Sequence, residues 1–218
     1  MAISKRANDQ INYSNRKKIN SDFKNKDLRR SNCYNCDFSN SDFSDASFRG
    51  AQFKACNFFE NKFDGAEFVA ANLKNSRFKQ AQFENTIFDS VNLEGVDFEG
   101  ATFKNVVFVG TDLGKALNLD LSTQDVKVFD EMPALEISNA LEGVVEKMLD
   151  NEFVKFARVL DTKEGKINPI SMMILSERFD ERTLIKGFRM MKRDITKDFA
   201  TLSYIIEIFK AYQSEGRI

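Results

Sequence analysis

The chain has 218 residues, of which 32 are basic and 33 are acidic, and it contains no histidine. The lack of histidine excludes Ser-His-Asp and Cys-His nucleophilic catalysis and histidine-ligated metal sites. The sequence has no phosphate-binding loop, no apolar run long enough to span a membrane and no apolar signal-peptide core. An odd number of cysteines, here three, does not suit a secreted disulfide framework, so we expect a cytoplasmic protein. Since catalytic and phosphate-binding motifs are also missing, we expect a non-enzymatic protein with no cofactor and no metal.

Residues 1–20 are polar and mostly basic. They carry one acid, Asp9, against five bases, which are Lys5, Arg6, Arg16, Lys17 and Lys18. We predict a basic N-terminal arm that turns into a cap over the next domain near Ile19. The alternative is a tail that binds an anionic partner.

A period of five organises residues 21–115. Every fifth residue from Phe23 to Leu113 is Phe, Leu or Cys, without a slip in register. Two positions before these centres, seventeen of nineteen residues are small or β-branched. The centres are Phe23, Leu28, Cys33, Phe38, Phe43, Phe48, Phe53, Phe58, Phe63, Phe68, Leu73, Phe78, Phe83, Phe88, Leu93, Phe98, Phe103, Phe108 and Leu113.

This period suits neither a regular helix nor a flat strand. On an α-helix, five residues advance by about 500°, so the Phe side chains would spiral around the cylinder. On a strand, an odd period would alternate between the two faces. The Phe side chains stay inside only if the chain turns a corner every five residues, so that four corners close a coil stacked about 4.8 Å from the next. Gly or Asn at eleven of nineteen corners supports a β-solenoid.

One repeat matches a known family pattern. Ala71-Asn72-Leu73-Lys74-Asn75 fits A(D/N)LXX, and Ser41-Asp42-Phe43, Ala66-Glu67-Phe68 and Thr111-Asp112-Leu113 are close variants. Over residues 21 to about 115 the chain resembles the pentapeptide-repeat family. The resemblance implies a right-handed quadrilateral β-helix, here of nearly five coils. It also implies an activity found in some members, which mimic duplex DNA, bind DNA gyrase or topoisomerase IV and protect against quinolones or other topoisomerase poisons.

The solenoid is mildly polarised in charge. Residues 21–113 hold fourteen acids and eleven bases, a net charge of −3. Five acids lie in a short segment without a base, and they form our candidate acidic patch: Glu84, Asp89, Glu94, Asp97 and Glu99. Such a patch supports the topoisomerase activity that the resemblance implies, because it could engage a DNA-binding saddle.

Outward positions on the second face of the coil include a cluster of aliphatic side chains. This face has its centres at Leu28, Phe48, Phe68, Phe88 and Phe108. The candidate interface residues on this face are Val69, Ile87, Val107 and Val109. Outward positions elsewhere are mostly polar, and Phe59 on the fourth face is a further apolar candidate. Apolar surface of this kind predicts a contact, either with the C-terminal part of the same chain or with a partner.

Cys33 and Cys36 form a Cys-x-x-Cys sequence, which is also found in redox and metal sites. In the five-residue register both side chains point into the core, so we interpret them as small buried hydrophobic residues.

The period ends after Leu113, and the composition then changes. Residues 116–133 resemble a strand-like exit linker, and residues 134–218 predict a helical domain of five short helices. We expect an apolar face over 137–149, a helix capped by Asn151, one opened by Pro169, one around 184–191, and one beginning at Asp194 or Thr196. This domain matches no family pattern.

The fourth predicted helix carries a basic face. Arg182, Lys186, Arg189 and Arg193 follow the spacing of one helix face. A solvated surface is the simple interpretation, and binding of an acidic partner, including nucleic acid or anionic lipid, is the functional one.

The sequence predicts an architecture in more detail than an activity. Our leading interpretation is a non-enzymatic protein–protein interaction scaffold or adaptor, with an unidentified protein partner and no direct binding of nucleic acid. A homodimer is compatible with it. The alternative is a DNA-mimicking binder of a type II topoisomerase, although the small net charge of the solenoid disfavours it.

Overall fold

The computed structural model describes residues 9–122 and 125–218. They divide into two compact units, Met1–Glu131 and Met132–Ile218. The first is a β-solenoid of about six turns over residues 12–129, and the second contains five helices. The predicted fold class is therefore confirmed, with about one more coil than the period alone indicated.

Short parallel strands form the sides of the solenoid. They are β1 Asn12–Ser14, β2 Asn32–Tyr34, β3 Gln52–Lys54, β4 Lys62–Asp64, β5 Glu67–Val69, β6 Gln82–Glu84, β7 Ile87–Asp89, β8 Thr102–Val109 and β9 Asp125–Phe129. A short 3-10 helix, Leu113–Lys115, follows β8. Partners in adjacent coils are twenty residues apart, as in Phe63, Phe83 and Phe103. The predicted coil length is confirmed by this register.

The corners from Asn15 to Gly110 have the left-handed conformation. Each fifth residue from Asn15 to Gly110 has φ between +50° and +69°. Asn and Gly adopt this conformation readily, but Arg30, Glu60 and Ala70 adopt it as well. The stacked coils therefore impose the corner on residues that disfavour it by themselves.

The core consists of stacked Phe columns. Phe48, Phe68, Phe88 and Phe108 form one column, with ring centroids 4.4, 4.9 and 4.7 Å apart. All four rings are buried. The small residues two positions earlier leave room for the rings of the neighbouring columns, such as Phe63 beside Phe68 at 5.5 Å.

The solenoid is longer at both ends than the prediction of 21–115. Tyr13 lies beside Cys33 in the β1–β2 pair, within the predicted arm, whereas residues 1–8 of that arm lie outside the described residues. At the other end, β9 pairs with β8 after an irregularity at Lys104 and Val106. The backbone pairing continues where the Phe period does not, because parallel hydrogen bonding does not depend on the side chain at the centre.

The helical unit contains α1 Asn139–Leu149, α2 Glu152–Ala157, α3 Pro169–Arg178, α4 Glu181–Asp194 and α5 Leu202–Ser214. Asn151 caps α2 and Pro169 opens α3, as predicted. α5 begins later than predicted. Asp194 ends α4, and its carboxylate accepts hydrogen bonds from Tyr212 and Arg217 instead of starting a helix. No helix in the described ranges has the length and hydropathy needed to cross a membrane.

Close packing joins α4 and α5 at Gly187. A Cβ at this position would lie 2.8 Å from two ring carbons of Phe209. Phe209 also packs edge-on against Phe188, with centroids 5.1 Å apart. The packing of α4 on α5 thus depends on the lack of a side chain at Gly187.

Candidate functional site

The acidic patch of the solenoid has lysines beside it. Lys104 Nζ lies 2.6 Å from Glu84, and Lys74 Nζ lies 2.7 Å from Glu94. Lys79 contacts Glu99 and also lies 3.1 Å from Asp97. Each lysine stands about one coil from its acid in the sequence. The sequence segment that holds these acids contains no base, but the stacking of the coils places lysines from neighbouring coils beside them.

The pKa values reflect this pairing. Hydrogen bonds to Glu99 and then Asp97 raise the pKa of Lys79. Burial alone would raise the pKa of Asp97, but hydrogen bonds from the Asn118 amide, the Glu99 backbone N–H and Lys79 outweigh it and lower that pKa. Both charged forms are therefore favoured. Asp89 differs from the other four acids, because its described partner is the hydroxyl of Ser90, at 2.8 Å.

The register predicts that the aliphatic residues of the second face point outward, but in the structure most of them have little exposed surface. Ile87, Val107 and Val109 are 8, 2 and 2% exposed. Val69 and Phe59 are partly exposed. Within the solenoid, Val107 lies between Ile87 of one neighbouring coil and Lys127 of the other. The role of these five residues as an interface stays a prediction.

The start of the same face is polar. Arg29 Nε and Nη2 each donate to a different carboxylate oxygen of Asp27, both at 2.6 Å. The two side chains are 12% exposed, so this bidentate pair is shielded from water much more than the lysine pairs of the acidic patch. Periodicity could not reveal it, because neither residue occupies a centre.

The cysteines are free and buried, as the register predicted. Burial raises the pKa of Cys33 and of Cys56 to about 12. The Cys56 thiol donates to the backbone oxygen of Lys54 at 3.5 Å. Protonated thiols are poor nucleophiles and poor metal ligands, so these residues fill core space.

An open groove of about 280 Å³ lies across the first coils. Lys17, Asp37, Asn57 and Arg77 form its charged and polar floor, and Ala55 interrupts a column of corner asparagines beside it. The Asn57 amide donates to Asp37 at 3.1 Å. The groove is shallow and its opposite charges are intermixed, so it shows no catalytic arrangement.

The basic face of α4 is exposed at all four predicted positions, Arg182, Lys186, Arg189 and Arg193. The opposite face of α4 is buried, including Phe188. The described residues contain no group of three or more His, Cys, Asp or Glu placed to hold a metal ion. The four basic side chains form an exposed row of like charge on one face of α4.

A comparison with models of protein families gives one match, and it lies within the solenoid. Residues 31–108 match the family model described as a pentapeptide repeat region. The search of curated proteins found no match.

Several solved structures are similar over part of the chain. A pentapeptide repeat protein from the Arabidopsis thaliana thylakoid lumen is 22% identical, with 61% of this chain and 75% of that chain covered and a TM-score of 0.35. HetL from Nostoc sp. strain PCC 7120, a protein involved in heterocyst differentiation regulation, is 17% identical, with 54% and 49% covered and a TM-score of 0.28. QnrB1, a plasmid-mediated fluoroquinolone resistance protein, is 18% identical, with 55% and 90% covered and a TM-score of 0.20.

The repeat period, the twenty-residue register and the family match all concern the same segment. The helical unit, Met132–Ile218, lies outside the matched residues. Residues 31–108 of the solenoid match the pentapeptide-repeat family, which confirms the resemblance inferred from the repeats.

Proposed function

We propose that this protein is a non-enzymatic scaffold for protein–protein interactions. The observation that carries this proposal is the unbroken stacking of buried Phe columns, in which Phe68 lies 4.4 Å from Phe48 and 4.9 Å from Phe88. Buried rings at this spacing leave little freedom to the backbone around them. The outward side chains then stand in straight columns on a rigid surface, and a rigid surface loses little entropy when a partner binds.

Topoisomerase binding through DNA mimicry is the alternative, and the charge pairing argues against it. Duplex DNA presents about one negative charge per 1.7 Å of its axis. Four of the five candidate acids in this solenoid have a lysine within 3.1 Å. A DNA-binding saddle would meet a surface of mixed charge, so a protein partner of mixed charge suits this solenoid better.

A supercoiling assay separates the two functions. DNA gyrase is assayed with and without a fluoroquinolone while the full chain is titrated to a stoichiometric amount. The scaffold proposal expects unchanged supercoiling and an unchanged response to the drug. Protection or inhibition at stoichiometric protein would replace it with topoisomerase binding.

A capture experiment then tests the scaffold directly. The full chain and its Phe68→Ala variant are immobilised side by side, and the proteins retained from native cells are compared. The proposal expects a defined partner that is retained by the intact solenoid and lost with the variant. Equal retention by both would show that the folded columns do not present the partner's binding surface, and that would overturn the proposal.

A further inference from the structure

The basic face of α4 is a straight row of cations. Arg182, Lys186, Arg189 and Arg193 are spaced by four, three and four residues, which places them on one side of the helix. At a rise of 1.5 Å per residue the row is about 16 Å long. Three of the four are arginines, whose planar groups bind carboxylates through two parallel hydrogen bonds.

This row has no salt-bridge partner within the described parts of the chain. Among residues 9–122 and 125–218, none of the four cations forms a salt bridge. The acids nearest to the row are engaged at the ends of α4. Asp180 accepts the Thr183 backbone N–H at 2.7 Å, Glu181 accepts the Ser138 hydroxyl at 2.9 Å, and Asp194 accepts Arg217 at 2.6 Å.

Two features disfavour a lipid or single-stranded nucleic acid. The apolar face of α4, with Leu184, Phe188 and Met191, is buried in the core of the unit, so the helix has no free apolar face to insert into a membrane. The exposed face of α4 bears no aromatic side chain on which a base would stack.

The charge balance disfavours duplex nucleic acid. Residues 132–218 hold fourteen acids and fourteen bases, and the chain has a net charge of −1. A neutral unit attracts a long polyanion weakly, whereas a short row of cations complements a short row of carboxylates.

We propose that the basic face of α4 is a docking surface for an acidic protein segment of about three helical turns, with Asp or Glu repeated along one side. This inference rests on the proposed scaffold function and specifies the chemistry of one partner. Carboxylates from the segment would meet the guanidinium groups of Arg182, Arg189 and Arg193. Loss of this contact would leave a partner of the solenoid unaffected.

The test measures binding of the full chain to a fluorescein-labelled helical peptide by fluorescence anisotropy. The peptide carries four Glu spaced by four, three and four residues, and a second peptide has Gln at the same places. We expect binding of the Glu peptide and at least roughly tenfold weaker binding of the Gln peptide. Equal binding of the two peptides would contradict the proposal.

Matched charge reversals locate the binding. The double substitution Lys186→Glu and Arg189→Glu is expected to weaken binding of the Glu peptide by at least roughly tenfold. The control Lys147→Glu and Lys210→Glu makes the same change in net charge on exposed lysines of α1 and α5, and binding is expected to stay within about twofold. An equal loss in both variants would indicate general attraction and overturn the docking surface.

A rescue separates contact from misfolding. A peptide in which two Glu are replaced by Lys is expected to bind the Lys186→Glu, Arg189→Glu variant more tightly than the original chain. Failure of this rescue, with thermal unfolding unchanged, would count against the proposal. The same chain is also tested with a duplex DNA of twenty base pairs and with vesicles of phosphatidylcholine and phosphatidylserine. If either ligand binds more tightly than the Glu peptide and loses binding in the Lys186→Glu, Arg189→Glu variant, the face binds that ligand and the proposal is overturned. The capture experiment on the solenoid is independent of all these outcomes.

Discussion

The solenoid and the helical unit are stabilised by different kinds of contact. In the solenoid the same contact recurs every twenty residues, as in Phe68 stacked on Phe88 and Phe88 on Phe108. In the helical unit each contact occurs once, as in Gly187 against Phe209. The surroundings of a solenoid residue can therefore be inferred from the sequence twenty positions away, whereas those of a helical residue depend on which helices pair.

The largest effect is expected where the repeated contact is removed from the middle of a column. Phe68→Ala deletes a buried ring that is held on both sides, and we expect a loss of about 3–5 kcal/mol in the free energy of unfolding. Denaturant unfolding of the solenoid measures it. Phe23 stacks on Phe43 at 4.5 Å and is only partly buried, so Phe23→Ala serves as the control and should cost less than half as much. Equal losses would show that the column does not behave as a stack.

The single-copy contact is tested at Gly187. Gly187→Ala places a methyl group 2.8 Å from the Phe209 ring, and overpacking of this kind costs about 1–3 kcal/mol. Hydrogen exchange of α4 and α5 amides reports the change. The matched control is Gly143→Ala in α1, where nothing lies within 4 Å, and there the better helix propensity should stabilise by up to about 1 kcal/mol. Stabilisation at both positions would contradict the close packing of α4 on α5.

The corners offer a smaller test of the repeat. Ala70 has φ of +50°, a conformation that costs a residue with a Cβ about 1 kcal/mol. Ala70→Gly is expected to recover up to that amount, measured by thermal unfolding. The reverse change, Gly100→Ala, should destabilise, since Gly100 has φ of +69° and its Cβ would lie 3.4 Å from Gln80. A loss of stability in Ala70→Gly would mean that the corner is not strained.

The smallest effect concerns pH. Burial would raise the pKa of Asp42, but hydrogen bonds from Ser44 and Lys24 outweigh it and lower that pKa in the folded chain. A carboxyl group whose pKa is lower in the folded chain than in the unfolded chain stabilises the fold at any pH above the unfolded pKa. This stabilisation is lost as the pH falls through the folded pKa. Asp42→Asn should therefore make the unfolding midpoint of the solenoid less sensitive to acidification below about pH 4. An unchanged pH profile would show that the contacts of Asp42 with Ser44 and Lys24 do not persist in solution.

Much of the solenoid could be predicted from the sequence, because its period reports which residues stack. The column of Phe68 and the twenty-residue coil followed directly from it. The charge pairing did not, since Lys74 and Glu94 are neighbours only after the coils stack. The extra coil was missed because Tyr13 and the residues of β9 pair through their backbones without a Phe at the centre.

The helices were predicted with less detail for a physical reason. Caps such as Asn151 are local, so their positions could be predicted. The start of α5 depended on whether Asp194 would cap a helix or bind Tyr212 and Arg217, and that choice is made by tertiary contacts. The basic face of α4 could be predicted because helical spacing is also local, but only the fold shows that its four cations form no salt bridge with the described residues.

The twenty-residue register gives the solenoid a discrete scale of length and orientation. A duplication of twenty residues would add one coil, lengthen the stack by about 4.8 Å and leave every surface column in line. A duplication of five residues would keep the Phe column filled but move everything after it to the next side of the square. The surface of such a protein can thus change its pattern in quarter turns while its interior stays the same.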